Sequence, residues 1–115
     1  MTDSRRDHQA GLDDARLTNE LASRVMGWKP GPGRFIRPHR GWLSRSRFQP
    51  FSDIKDAFRV LDAVTNDYSV IAIPGRGFQA EVRVKGRVGR ANGDECARTI
   101  SMAVAMAIGI VRCEG

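Results

Sequence analysis

Residues 68–91, YSVIAIPGRGFQAEVRVKGRVGRA, decide the fold. Tyr68 to Ile73 is a β-branched and apolar run, Pro74-Gly75-Arg76-Gly77 is a turn, Phe78 to Val84 alternates strictly, and Lys85-Gly86 leads into Arg87 to Ala91. Short runs of this composition joined by tight Gly-bearing turns predict three antiparallel strands in a meander. In the middle strand Phe78, Ala80, Val82 and Val84 share one side, and Gln79, Glu81 and Arg83 share the other. A period of two of this kind gives the sheet one apolar face and one wet or lightly covered face. The first strand is apolar on both sides through Val70, Ile71, Ala72 and Ile73, so part of its opposite face is expected to be covered as well.

Working outward, a helix is expected on each side of the meander. Ile54, Ala57, Phe58, Leu61 and Val64 recur at helical spacing, Ser52 is a natural cap, and Asp53 and Asp56 lie near the positive end of the dipole. Lys55, Arg59 and Asp62 take the opposite face, and Asn66-Asp67 ends the helix. A final helix is expected from about Asp94 to Ile108, stopped by Gly109, with Ala97, Ile100, Val104, Ala107 and Ile108 in line. Its alanines allow close approach to a sheet. A short first helix is expected from Thr18 as N-cap to Met26, ending at Gly27. Between Gly27 and Phe51 lie four of the five prolines, so regular structure there can only be short; Arg34–Arg37 is one brief strand that Pro38 limits to an edge or an end.

With 115 residues the chain holds one domain, read as a flexible polar tail over 1–16 and a single domain over 17–115. Hydrophobic residues make up 41% and charges are mixed, which excludes a disordered or fibrous chain. The formal charge of +6 resides entirely in Gly27–Phe51, where Lys29, Arg34, Arg37, Arg40, Arg45 and Arg47 meet no Asp or Glu. That stretch focuses a positive potential and attracts anions. Cys96 and Cys113 have no paired spacing and are expected as reduced, buried thiols. The N-terminal residues lack a signal-peptide core, and the longest apolar run, Ile100–Val111, is shorter than the roughly 20 residues a membrane span needs, so the cytosol is expected.

Catalysis needs polar groups converging on one point, and no such set is signalled. His8 stands in the tail and His39 in the Pro-rich stretch, neither cysteine has a close second ligand for zinc, and the glycines of the meander sit at turns rather than in a phosphate loop. The expectation is a protein that is not an enzyme and uses no cofactor or metal. The functional signal is the alternation of cations with Trp28, Phe35, Trp42 and Phe48, a composition that grips phosphates and stacks on bases. The competing reading is that the aromatics pin a long loop to the core. The candidate ligand-binding set is Trp28, Lys29, Arg34, Arg37, Arg40, Trp42, Arg45 and Arg47. Arg83, Lys85, Arg87 and Arg90 form a smaller row that Glu81 partly neutralises.

The string Leu17-Thr18-Asn19-Glu20-Leu21-Ala22-Ser23-Arg24-Val25-Met26-Gly27-Trp28, then Trp42, Arg47-Phe48-Gln49-Pro50-Phe51 and Asp56-Ala57-Phe58-Arg59-Val60-Leu61, resembles the phage ABA sandwich family, small phage and prophage proteins. Phe78-Gln79-Ala80-Glu81-Val82-Arg83, Gly89-Arg90-Ala91 and Ala97-Arg98-Thr99-Ile100 to Gly109 carry the likeness onward, over about Leu17 to Ile110. The resemblance implies a helix-sheet-helix sandwich carried by temperate phages or their remnants, and supplies no catalytic residues. Joined to the periodicities, it gives an α/β (α+β) sandwich with a three- to four-stranded antiparallel sheet and about three helices, in the order α-(β)-α-β-β-β-α. A looser likeness, to double-stranded RNA-binding domains, founders on Asp94 and Glu95, which stand where those domains place phosphate-binding lysines.

The function expected is that of a non-enzymatic phage- or prophage-type binding protein that engages nucleic acid or a nucleotide through the basic aromatic stretch. The alternative is an accessory or anti-defence factor that docks onto a host protein through Trp28 and Trp42, or sequesters a nucleotide signal. No membrane partner is implied. A homodimer closed through an exposed strand edge is compatible with either.

Overall fold

The computed structural model describes residues 14–111, and its element order is α-β-β-β-α-β-β-β-α. Helix α1 is helical from residue 14 to residue 24. Strands β1 (Lys29–Gly31), β2 (Arg34–Arg37) and β3 (Gly41–Ser44) form a first antiparallel sheet, followed by a 3-10 turn at Arg45–Arg47. Helix α2 (Ile54–Val64) leads into β4 (Tyr68–Ile73), β5 (Gly77–Val84) and β6 (Arg87–Gly93), the second antiparallel sheet, and α3 (Cys96–Ala107) closes the order. This is the α+β class expected, with the meander where the alternation placed it.

Several local details differ from the sequence reading, each for a physical reason. Thr18 does not cap α1; it lies inside the helix, and its hydroxyl donates to the Asp14 carbonyl at 2.7 Å, one turn back. Residues 14–16, assigned to the tail, are therefore helical, and the rest of that tail lies outside the described residues. Asp53 rather than Ser52 caps α2, its carboxylate accepting from the Lys55 N–H at 2.9 Å. Glu95 is the residue before α3, so Asp94 belongs to the turn after β6.

The largest revision concerns Gly27–Phe51, which is not one long loop: strands β1 to β3 and the 3-10 turn at Arg45–Arg47 occupy most of it. Pro32, Gly33 and Pro38 are turn residues, while Pro30, Gly31 and Gly41 lie within the strands. Pro32 and Gly33 connect β1 to β2 with Gly33 at φ +69, and Pro38, His39 and Arg40 connect β2 to β3 with His39 at φ +63. Proline before a left-handed residue is the composition of a type II turn.

Helix α3 lies across β5 and β6 and packs against α2. The close approach has a specific cause. A Cβ on Gly89 would overlap the Ala103 carbonyl and come within 2.6 Å of the Ala107 nitrogen, so only glycine lets the helix settle on the sheet. Val60, Leu61, Ala80, Val82, Ile100 and Val104 are fully buried in the layer between. Ser101 donates to the Pro50 carbonyl at 2.6 Å, tying α3 to the segment before α2. The opposite face of the second sheet carries no helix among the described residues: Ile71 is 51% and Val88 40% exposed there. Among the described residues the layering is thus helices on one face of this sheet, without the second helical layer that the resemblance implied.

Candidate functional site

Register sorts the residues of the first sheet into two faces. Pro30, Phe35 and Leu43 stand opposite one another, as do Lys29, Ile36 and Trp42, followed by Gly31, Arg34 and Ser44. Side chains alternate along a strand, so these sets point to opposite sides. Phe35 is fully buried, which fixes its side as the core side. The other side presents a cross-strand row of Lys29, Ile36 and Trp42 with Arg34 beside it.

The core side consumes three of the four aromatics. Phe35 and Phe48 meet edge to face at 5.6 Å, and Trp28 joins them at 5.0 Å from Phe48 and 6.1 Å from Phe35. Arg59 of α2 lies over the Trp28 ring at 5.2 Å. These contacts pin the meander to the helices. Trp28, expected in the ligand-binding set, is buried here and its ring faces are occupied.

Arg45 also works inward. Its guanidinium lies 4.7 Å from the Phe35 ring centre and donates to the Asn19 side-chain oxygen at 2.6 Å, joining the 3-10 turn to α1. Together with Phe35, Phe48, Phe51, Asp14 and Arg98 it lines a cleft of about 390 Å³. Arg98 there pairs with Asp14 at 2.5 Å and covers Phe51.

The outer face is different. Trp42 is 61% and Ile36 49% exposed, with the Arg34 guanidinium 5.9 Å from the Trp42 ring centre. Lys29, Arg34, Arg40 and Arg47 are exposed. Arg37 is half-buried and donates to the Arg40 carbonyl at 3.1 Å, which braces the β2–β3 turn. Five of the eight candidate residues, Lys29, Arg34, Arg40, Trp42 and Arg47, are therefore open to a partner. Trp28, Arg37 and Arg45 build the scaffold beneath. Ile36 was missed as a candidate, and strand parity opposite Trp42 is the signal that would have found it.

The cationic row around the second hairpin carries its own counter-charge. Glu81 accepts from Arg90 at 2.6 Å and from Arg83 at 3.4 Å on the open face. The hydrogen bond from Arg90 holds the Glu81 carboxyl below its usual pKa, so it stays ionised and offsets the two guanidiniums. Cys96 is half-buried, and burial pushes its thiol up, away from the reactive thiolate. His39 is exposed in its turn, whereas His8 and Cys113 lie outside the described residues. No helix among the described residues is long and apolar enough to cross a membrane.

No family model matches the chain, and no curated protein does. Among solved structures, a phage protein from Bacillus cereus ATCC 14579 superposes with a TM-score of 0.67 at 18% identity, over 81% of this chain and 84% of that one. Likeness at this identity establishes a shared fold.

Proposed function

We propose that this is a non-enzymatic phage- or prophage-type protein that binds single-stranded nucleic acid on the outer face of its first sheet. The observation that carries the reading is Trp42, exposed on the open outer face with Arg34 beside it and Lys29 beyond Ile36 in the same cross-strand row, in a segment without a single carboxylate. An indole on an open sheet stacks on bases that are unpaired, because bases in a duplex offer it no free ring face. Arg34 beside it and Lys29 across the sheet supply the charge that neutralises phosphates. An open sheet face encloses a mononucleotide poorly, which favours a polymer over a free nucleotide. The fold shared with a phage protein supports the phage setting.

The test is fluorescence anisotropy with labelled single-stranded DNA, RNA and duplex DNA at about 50 and 200 mM salt. Single strands bind more tightly than duplex, and Trp42→Ala loses about 1–3 kcal/mol, the worth of one stacked base. Arg34→Ala makes the salt slope shallower by about 0.7, one phosphate contact. Binding indifferent to both substitutions defeats the reading. A second reading rests on the apolar pair Ile36 and Trp42, which suits a host-protein interface. Such an interface would bind a protein with little salt dependence and leave polynucleotides alone.

A further inference from the structure

Strand β4 is a poor solution for a free edge. Its sequence, Tyr-Ser-Val-Ile-Ala-Ile, has no charge, no proline and no glycine, yet Tyr68, Ser69, Ile71 and Ala72 are all exposed. Among the described residues β5 is its one strand partner, so its outer edge carries unpaired backbone groups. The other edge of the same sheet, β6, is defended in the usual way, with Arg87 and Arg90 and with Gly89 and Gly93 breaking its regularity. Apolar character on both sides of β4 predicted cover on both sides; among the described residues the helices cover one face, where Tyr68 meets Phe58 and Val70 packs on the core, and leave Ile71 on the other 51% exposed.

We propose that β4 pairs antiparallel with β4 of a second copy, joining two three-stranded sheets into one of six strands. The backbone fixes which residues meet. Arg83 donates to the Asp67 carbonyl at 3.0 Å, one step beyond the Tyr68–Val82 pair, so odd-numbered positions of β4 exchange hydrogen bonds with β5. Tyr68, Val70 and Ala72 therefore turn their N–H and C=O groups outward. A two-fold axis at Val70 sets Tyr68 against Ala72 of the partner copy and Val70 against itself, using every outward group. Shifting the axis to Ile71 sets Tyr68 against Pro74, which has no N–H to give. Charge points to the same occupant. Two copies of a chain with net charge +6 repel, and β4 is a surface stretch that brings no cation to the contact. Tyr68 is held at the strand's start by its hydroxyl, which donates to Asp62 at 3.3 Å, so the edge is ordered before it pairs.

Size-exclusion chromatography with light scattering on the full chain, at two concentrations about tenfold apart, tests the pairing. Wild type gives twice the chain mass at the higher concentration. Ala72→Pro, which removes an outward N–H that β5 does not use, and Ile71→Lys, which charges the strand, both give the single-chain mass with an unchanged far-ultraviolet circular dichroism spectrum. Val88→Lys on β6 stays dimeric. In a Cys96→Ser/Cys113→Ser background, Val70→Cys cross-links to its own copy under a mild oxidant, and Ile71→Cys does not. A wild-type monomer at both concentrations, a dimer that survives Ile71→Lys, or cross-linking at Ile71 in place of Val70 overturns the proposal.

Discussion

His39 and Gly75 occupy the same place in two turns of one design. Arg37-Pro38-His39-Arg40-Gly41 joins β2 to β3, Ile73-Pro74-Gly75-Arg76-Gly77 joins β4 to β5, and in each the arginine N–H donates to the carbonyl three residues back, at 3.2 and 2.9 Å. The third residue is left-handed in both, at φ +63 for His39 and +74 for Gly75. Only the second turn has the residue without a Cβ. A left-handed conformation costs an ordinary residue about 1–2 kcal/mol, partly offset by the extra chain entropy that glycine loses on folding. His39→Gly is accordingly expected to stabilise the protein by about 0.5 kcal/mol, a rise of a few degrees in Tm by scanning calorimetry.

The β5–β6 turn offers a parallel case. Lys85 and Gly86 both have positive φ, at +49 and +83, the form that favours Asn-Gly. Lys85→Asn should raise the urea midpoint by the equivalent of about 0.5 kcal/mol with the denaturant slope unchanged. A fall in midpoint would mean that the lysine makes a compensating contact.

Gly89→Ala acts in the opposite direction. The added methyl collides with backbone of α3 near Ala103, and backbone cannot swing aside as a side chain can. A loss of about 3 kcal/mol or more is expected, seen as early unfolding or insoluble protein. Gly86→Ala, where open space surrounds the position, should lose less.

Stability and binding should separate across the first sheet. Phe35→Ala removes a fully buried ring and is expected to cost about 3–5 kcal/mol in chemical denaturation. Trp42→Ala removes an exposed one and should stay within about 0.5 kcal/mol of wild type. Equal destabilisation by the two would show that the outer face is packed in solution.

Acid should loosen the open face of the second sheet. Because Arg90 lowers the folded-state pKa of Glu81, the pair contributes stability above the carboxyl's ordinary value of 4.5, and that contribution disappears as pH falls through the lowered value. Arg90→Ala should flatten this small part of the acid limb in denaturation curves taken below about pH 5. An acid limb identical in both proteins would refute the linkage.

The second sheet, α2 and α3 were legible because β5, α2 and α3 each repeat at a single period over six or more positions and tight Gly-bearing turns set off β4 and β6 on either side of β5. The first sheet was not, since strands of three or four residues are too short to establish a period, and Pro32 and Pro38 read as breakers. The information was present in another form. Once Pro32-Gly33 and Pro38 to Arg40 are taken as hairpin turns, pairing follows, and parity alone separates Phe35 from Ile36 and Trp42. That aromatics of this stretch pin it to the core was one of the two readings open from sequence, but which of them do so was not, because burial of Trp28 depends on Phe48 and Arg59, which reach it only in the folded chain. Asn19 and Arg98 were equally hidden, one meeting Arg45 and the other Asp14 across long stretches of sequence.

The two tryptophans give the protein a pair of built-in optical channels. Trp28, enclosed by Phe35, Phe48 and Arg59, emits from a dry setting until the fold opens, whereas Trp42 emits from water and is within reach of a collisional quencher such as iodide. Red-edge emission therefore follows occupancy of the outer face, blue-edge emission follows unfolding, and Trp42→Phe silences the first without touching the second.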